Sequence, residues 1–451
     1  MTPPARRPKR RSRVPAGRIE RLAHLGLLAA GLAAGGLAEG ARRAFGAGAG
    51  AAATASALLS PGNAERLARR LSQLRGAAMK LGQLLSLESA DILPPEFAEA
   101  LAALRASADT MPVAQLRRVL GREYGRGWEA RFADFDFEPV AAASIGQVHA
   151  ARTHDGRELA LKIQYPGVAK SIDSDVDNVA ALLHATRILP VEIDVSGIVA
   201  EAKQQLRQEA DYLAEAASLR RFRALVADEP RLQVPRVHDD LTTRRVLAMD
   251  YAHGLPIEEL AGAGTPQARR DAIGTLLQRL MFREIFEFRF VQTDPNFANY
   301  LIEPEGERLL LLDFGATREY DAAFVAHYAA LCRGVIAGDR AAVRDAAVAI
   351  GYLRRDDPEE RLRAAVDLMF LVCEPLRHAG RYDFARSTLA ARARDAGFDL
   401  AFRKRFLRAP PAETVFLHRK LVGTFLLSAR IRARVDVRAL IEPLSSGRDG
   451  V

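Results

Sequence analysis

The stretch VQTDPNFANYLIEPEGERLLLLDFGATREY, Val291 to Tyr320, decides how the rest of the chain is read. In it Asp294 is followed five residues later by Asn299, and fourteen residues beyond that by Asp313, which closes an apolar run. An aspartate at the first position orients or deprotonates an attacking hydroxyl. Asn299 and Asp313 offer hard oxygen donors of the kind Mg²⁺ takes when it bridges nucleotide phosphates. The question is whether the stretch moves a phosphoryl group.

The partners of such chemistry lie upstream. LALKIQYPG sets Lys162 in an alternating strand whose other face carries Leu159, Leu161 and Ile163. AAASIGQVHAAR precedes it by one hairpin, turned at His154-Asp155-Gly156, as a phosphate loop precedes the ATP lysine of protein kinases. That loop is ordinarily Gly-rich, because glycine lets backbone N–H groups approach phosphates. Here Ala141, Ala142, Ala143, Ser144, Ile145 and Gln147 surround the single Gly146, so altered nucleotide geometry is expected. LRQEADYLAEAASL reads as helix. Its Glu209 and Glu215 are six apart, too wide to share one face cleanly, and Glu215 is the expected ion-pair partner of Lys162.

Taken singly these features are ordinary. A strand lysine is usually solvent-facing filler, helices are full of glutamates, and a bare Asp-Phe-Gly is weak. Lysine strand, acidic helix, Asp, Asn and Asp-Phe-Gly in this order are jointly strong. Departures are specific: Gln292 and Thr293 stand where kinases usually have His and Arg, and Asn296 where a phosphate-facing Lys would be. No activation segment ending in Ala-Pro-Glu follows Gly315. Peptide docking and control by loop phosphorylation are therefore not expected. No Walker A, HExxH, GxSxG or dinucleotide fingerprint competes.

The 451 residues, 49% hydrophobic and 27% charged, suffice for two lobes with extensions, since single cores stop growing at roughly 250–300 residues. The net charge of +9 is concentrated in residues 1–21, where eight Arg/Lys face the single Glu20 and leave +7. Such an arm suits an anionic membrane surface better than nucleic acid, because an apolar segment follows directly. In that segment, LAHLGLLAAGLAAGGLAEG (Leu22–Gly40), the uncharged part from Leu22 to Ala38 is slightly short for a span of roughly 20 residues. Its Gly31-x-x-x-Gly35 permits close helix packing. Membrane association, a targeting segment and a helix buried against the body are the three readings, with membrane association favoured. Cys332 and Cys373, 41 positions apart, fit two buried core thiols rather than a disulfide or zinc site.

Periodicity divides the chain further. Ala64–Glu88 and Phe97–Ala106 read as helices, Phe132 opens a strand-rich region, and Ile172–Leu189 and Ser196–Val226 read as long helices. VPRVHDDLTTRRVLAMDYAHG reads as two or three strands, and from Pro266 onward the pattern is mostly helical. The expected fold is α+β, protein-kinase-like and two-lobed, with a helical extension over the active site. Its expected parts are a basic tail 1–21, an apolar segment 22–48, an extension 60–115, an N-lobe 116–248 and a C-lobe 249–445.

These residues together resemble the UbiB family of atypical, protein-kinase-like proteins, most closely its coenzyme-Q branch of mitochondrial kinase-like proteins and their bacterial relatives. The resemblance runs from about Arg18 to about Ile441. It is carried by KLGQ (Lys80–Gln83), AAASIGQVH, LKIQYPGVAKSIDSDVDN, the E-x-D signature at Glu209 and Asp211, QTDPNFAN, LLDFGATREYD and LHRK (Leu417–Lys420). It implies an atypical kinase or ATPase, a transferase of phosphoryl groups, using ATP/ADP and Mg²⁺ in support of ubiquinone biosynthesis at a membrane. Lys80 and Gln83, with Glu209 and Asp211, would then sit near the nucleotide phosphates, and Lys80 would reach the γ-phosphate. The nucleotide-binding candidates are completed by Met249 and Tyr251. Expected partners are ubiquinone precursors or other lipids, other enzymes of that synthesis, an anionic membrane and, as an option, a second copy. The expected place is the cytoplasmic face of a bacterial inner membrane, the alternative the matrix face of the mitochondrial one. The rival reading is a nucleotide-responsive pseudokinase scaffold without catalysis.

Overall fold

The computed structural model describes residues 110–185, 196–400 and 410–445. The basic tail, the segment 22–48 and all of the extension before Thr110, including Lys80 and Gln83, lie outside the described residues. The described chain forms two compact units. One contains its residues up to Ala217 together with Arg236–Tyr251, the other Ser218–Pro235 and Ala252 onward.

The first unit is built on a sheet. In chain order it has α1 (Val113–Tyr124), β1 (Phe132–Phe135), β2 (Ala141–Ala142), β3 (Gly146–Thr153), β4 (Glu158–Gln164), α2 (Val168–Ala185) and α3 (Ser196–Glu209). Helix α4 (Tyr212–Leu225) begins in it, β5 (Leu232–Gln233) belongs to the second unit, and β6 (Val246–Asp250) returns to the first. The strands pair antiparallel in the order β1-β3-β4-β6, with β2 added beside β3. Arg152 faces Glu158 across the expected hairpin, and Gly156, at φ +87°, supplies the left-handed residue its turn needs.

Strand β4 is the centre of this unit. Leu159, Leu161 and Ile163 are fully buried in one cluster with Leu116, Leu120, Trp128 and Phe132. The pleat sends Ala160, Lys162 and Gln164 to the opposite face, and these are buried as well. Each large apolar side chain buried here contributes about 1.5–3 kcal/mol. Between Val237 and Asp250 there is one strand and an isolated bridge, Val237 to Met249, rather than the two or three strands expected.

The helix expected over Ser196–Val226 is two helices. It breaks at Ala210–Asp211, and the Asp211 carboxylate accepts the Ala214 N–H at 3.0 Å, capping α4. Apolar spacing persists through the break, so only the capping residue type marks it.

The second unit has a four-stranded sheet in the order β5-β10-β9-β7, made with β7 (Leu255–Pro256), β9 (Tyr300–Ile302) and β10 (Leu309–Leu311). β8 (Phe290–Gln292) pairs with β11 (Thr317–Glu319), so the strand before the Asp294 loop is clamped to the strand after Asp-Phe-Gly. Helices make up the rest: α5 (Gln267–Phe286), α6 (Ala322–Ala337), α7 (Arg340–Ile350), α8 (Glu359–Val372), α9 (Glu374–Arg377), α10 (Leu389–Phe398), α11 (Ala412–Arg430) and α12 (Val437–Ser445). A small pair, β12 (Tyr382–Asp383) with β13 (Arg434–Val435), interrupts the helical pattern. None of the described helices is long and apolar enough to cross a membrane.

Helix α5 is held tightly against the turn before β13. A Cβ at Gly274 would stand 2.3 Å from the Ala433 Cβ, closer than packed atoms allow. Gly274→Ala is therefore expected to destabilise the protein by about 1–3 kcal/mol through overpacking, outweighing the roughly 1 kcal/mol that alanine gains in helix propensity. Denaturant unfolding measures this, and an unchanged or raised midpoint would show that α5 can move aside.

Candidate active site

The candidate residues divide between the two units, and each set is described within its own unit. In the first, Lys162 Nζ lies 2.8 and 3.0 Å from the two carboxylate oxygens of Glu215. The lysine side chain is 8% exposed and the glutamate 0%, so this strand lysine is not solvent-facing filler. The ammonium also sits 5.3 Å above the Tyr212 ring. Glu215 lies in the first turn of α4, so the break at Asp211 is what lets it face Lys162 independently of Glu209. Glu209 accepts instead from the Ser144 hydroxyl in the Ala-rich loop.

That loop is a tight reversal. Ala141 and Ala142 pair with Val148 and Gln147, and the Ala143 N–H donates to the Gly146 carbonyl at 2.9 Å. A Cβ at Gly146 would meet the Ile163 carbonyl at 2.4 Å, so the approach of β4 itself demands this glycine. The Gln147 side chain is engaged within the unit: its Oε1 accepts from the Met111 N–H at 2.8 Å and its Nε2 meets His149 Nε2 at 2.6 Å. His149 Nδ1 lies 2.8 Å from the Asp136 carbonyl and donates to it. Burial holds the His149 pKa below its usual value, with that carbonyl pulling the other way. Ile145 is buried in the unit, as is Met249, which pairs with Ala160 in the sheet. Side chains of Gln147 and Ile145 thus serve packing, and their backbones are engaged as well, the Ile145 carbonyl by the Tyr165 N–H at 2.9 Å and Gln147 by its strand neighbours Ala142 and Ile163. Half-buried Tyr251 follows β6, and its N–H donates to the Glu158 carbonyl at 2.9 Å. Asp211 is exposed and serves as the cap of α4.

In the second unit the three oxygen-bearing residues are tied together by amides. Gln292 Nε2 donates to the Asp294 carbonyl at 2.7 Å and to the Asp313 carbonyl at 3.3 Å. Asn299 Nδ2 donates to the same Asp294 carbonyl at 2.9 Å. The Gly315 N–H donates to one Asp313 carboxylate oxygen at 2.9 Å. Thr293 gives both its N–H and its hydroxyl to the Ala316 carbonyl, at 2.8 and 3.0 Å. Asn296 caps the short turn before Asn299 by accepting from the Ala298 N–H at 3.2 Å. The residues that replace His, Arg and Lys therefore each have a structural task.

Helix α11 holds the loop from behind. Arg419 pairs with the Asp294 carboxylate. Lys420 Nζ lies 2.8 Å from Glu284 of α5, whose other oxygen accepts the Gln292 N–H at 2.9 Å. Burial pushes the Glu284 carboxyl up, and Lys420 with the Gln292 amide offsets it. Gly423 lets the helix close on the loop: a Cβ there would be 2.0 Å from Pro295 Cγ. Sequence reading noted LHRK only as a family marker and missed Glu284, Arg419, Lys420 and Gly423 as supports of the loop. The available signal was two adjacent cations inside the apolar run VFLHRKLVGTFLL.

Among the described residues no group of three or more His, Cys, Asp or Glu could hold a metal by itself. Asn299 and Asp313 are hard oxygen donors that suit Mg²⁺ shared with phosphates and water, and do not suit zinc. Both cysteines are free, and burial raises their thiols, that of Cys373 to about 12.

A family model for the ABC1 atypical kinase-like domain matches residues 103–347. The mitochondrial atypical kinase COQ8B of Rattus norvegicus is 40% identical over 433 residues, which cover 96% of this chain and 81% of that protein. The mitochondrial atypical kinase COQ8 of Saccharomyces cerevisiae is 38% identical over 440 residues, 96% of this chain and 86% of the relative. Among solved structures, Rv3197 of Mycobacterium tuberculosis, determined in complex with erythromycin, matches with a TM-score of 0.59 and 30% identity. It covers 83% of this chain and 93% of its own. The α+β, protein-kinase-like fold expected from the motif order is thus present.

The buried pair yields a stability test. Glu215→Gln leaves the Lys162 ammonium buried without its counter-charge and is expected to cost about 3–5 kcal/mol. Adding Lys162→Met should restore most of that loss. Urea unfolding of the two variants checks it, and a double variant no more stable than Glu215→Gln would contradict the pairing.

Proposed function

The chain belongs to the ABC1 atypical kinase-like family, in its COQ8 branch, and on that premise we propose that it binds Mg-ATP and turns it over. The reaction is hydrolysis, or phosphoryl transfer to a small or lipid acceptor, in support of ubiquinone synthesis at a membrane. In this reading Lys162 orients the α/β-phosphates and Glu215 holds Lys162. Asn299 and Asp313 hold Mg²⁺, which when bound neutralises charge on the phosphates. Asp294 positions the nucleophile, water or hydroxyl. Lys80 and Gln83, which lie outside the described residues, would complete the phosphate side, together with the Ala-rich turn.

The observation that carries the proposal is the Gln292 amide, bonded at once to the Asp294 and Asp313 carbonyls. A loop that had shed catalysis would have little reason to keep Asp294, Asn299 and Asp313 joined in one frame of amide bonds to the main chain. The mitochondrial relatives fit a matrix-face location, and a bacterial inner membrane fits the Arg/Ala-rich composition.

A second reading has one observation in its favour. Arg419 pairs with the Asp294 carboxylate, so the group that would position a nucleophile is already engaged by a cation of the chain itself. Carried further, this favours a nucleotide-responsive scaffold that recruits lipid precursors or partner enzymes without turnover.

Mg-dependent ATP turnover separates the two, measured with and without membranes and a phenolic ubiquinone precursor. Asp294→Asn and Asp313→Asn should each lower turnover by on the order of a hundredfold or more. Equal background rates in all three proteins, with Mg-nucleotide still bound, would overturn the enzyme reading in favour of the scaffold.

A further inference from the structure

Helices α5, α8, α10 and α11 of the second unit line a half-open cavity of about 580 Å³. None of the candidate active-site residues lines it. Its walls are overwhelmingly apolar, with Met281 and Ile285 from α5, Leu368 from α8, Ala393 from α10 and Leu421 and Phe425 from α11. An apolar hollow of this size, open on one side, is unfavourable to the water that would otherwise occupy it. Ligand pockets typically measure about 300–1,000 Å³ and combine apolar walls with a few polar groups. At roughly 30 Å³ per non-hydrogen atom in a liquid, the space takes on the order of 20 such atoms.

The polar groups restrict the occupant. The Tyr352 hydroxyl lies 2.6 Å from His418 Nε2, and the two rings stack with centroids 5.5 Å apart. Burial drives the His418 pKa down to about 4, so the imidazole is neutral at physiological pH. Among the described lining residues Arg361 is the one cationic side chain at that pH, and Asp357 lies 3.6 Å from it, both nearly buried. Gln278 donates to the Ser428 hydroxyl at 3.0 Å. A carboxylate or phosphate carried into these walls would find no uncommitted counter-charge among the described residues and would lose its hydration. A neutral hydroxyl, phenol or quinone oxygen carries no charge to desolvate, and it would join the hydrogen-bonded cluster in which the Tyr352 hydroxyl already meets His418, Tyr328 and Thr414.

The surface tells the same story. Val372, Val422 and Leu426 line the cavity while remaining 45%, 50% and 39% exposed. They are half of the large apolar side chains exposed among the described residues. Gathered at one opening, they make an apolar entrance rather than scattered surface noise.

We infer that this cavity binds one neutral, single-chain lipid, with its oxygen-bearing head at Tyr352 and His418 and its hydrocarbon chain between α8, α10 and α11. The inference is independent of the nucleotide reading, because binding is measured without ATP.

The test uses the full chain and tritiated geranylgeraniol, a neutral alcohol with a chain of fitting size, followed by equilibrium binding and gel filtration. One saturable site per chain is expected. Hexadecanol should compete, whereas palmitate and geranylgeranyl diphosphate, with charged heads, should compete at least tenfold more weakly. Stronger binding of geranylgeraniol than of hexadecanol assigns the site to isoprenoid chains, and parity assigns it to neutral chains of either kind. Leu421→Trp and Ala393→Trp, which fill the cavity, should each weaken binding tenfold or more while keeping a cooperative thermal transition. Tyr352→Phe, which removes an oxygen but little volume, should weaken the alcohol severalfold, and it remains informative if a tryptophan variant fails to fold. Absence of binding to the full chain, equal competition by the charged lipids, or indifference to all three substitutions would overturn the proposal. So would a change of oligomeric state in the filled variants without loss of lipid, which would assign the cavity to a second copy of the chain.

Discussion

One buried ion pair, Lys420 with Glu284, organises the second unit. Its two side chains are 3% and 1% exposed, and they join α11 to α5 while Glu284 also receives the N–H of Gln292. Buried pairs of this kind add little net stability, because desolvation offsets most of the attraction. Their effect is on register: a displaced charge would stand alone in a low-dielectric interior. With α11 fixed lengthwise, Arg419 falls on Asp294 and Gly423 on Pro295. The same helix offers Leu421 and Phe425 to the cavity. Alternate faces of one helix thus hold the Asp294 loop and line the apolar cavity.

The first unit depends on a different constraint, the burial of β4 on both faces. Once Leu161 is committed to the aromatic core, the pleat leaves Lys162 no route to water, and the cation has to be matched inside. Glu215 matches it. The same crowding at β4 excludes any side chain at residue 146. The last glycine of the loop therefore survives for a reason that concerns packing as much as any phosphate.

Much of this was legible in the residues. Asp294, Asn299 and Asp313 are close in the chain, so their spacing translates directly into a hairpin that collects them. Lys162 and Glu215 could be paired because strand, helix and loop follow in a recognisable order. What escaped was what depends on distant packing. The break at Asp211 hides inside an unbroken apolar rhythm. Gln147 looks like a loop ligand until His149 and Met111 claim its amide. Glu284 and Lys420 lie 136 residues apart, and no local pattern connects two charges that meet only when α5 and α11 pack.

The replacement of an imidazole by an amide at Gln292 changes how the loop responds to its surroundings. A histidine in that position gains a proton near pH 6.5, and its hydrogen-bonding then switches with acidity. A carboxamide has no proton to gain or lose between acid and alkaline extremes, so the two carbonyls held by Gln292 keep their donor throughout. That amide link does not titrate, whereas the Glu284 carboxyl that accepts the Gln292 N–H does. Any acid sensitivity of the protein then has to originate in groups other than this amide.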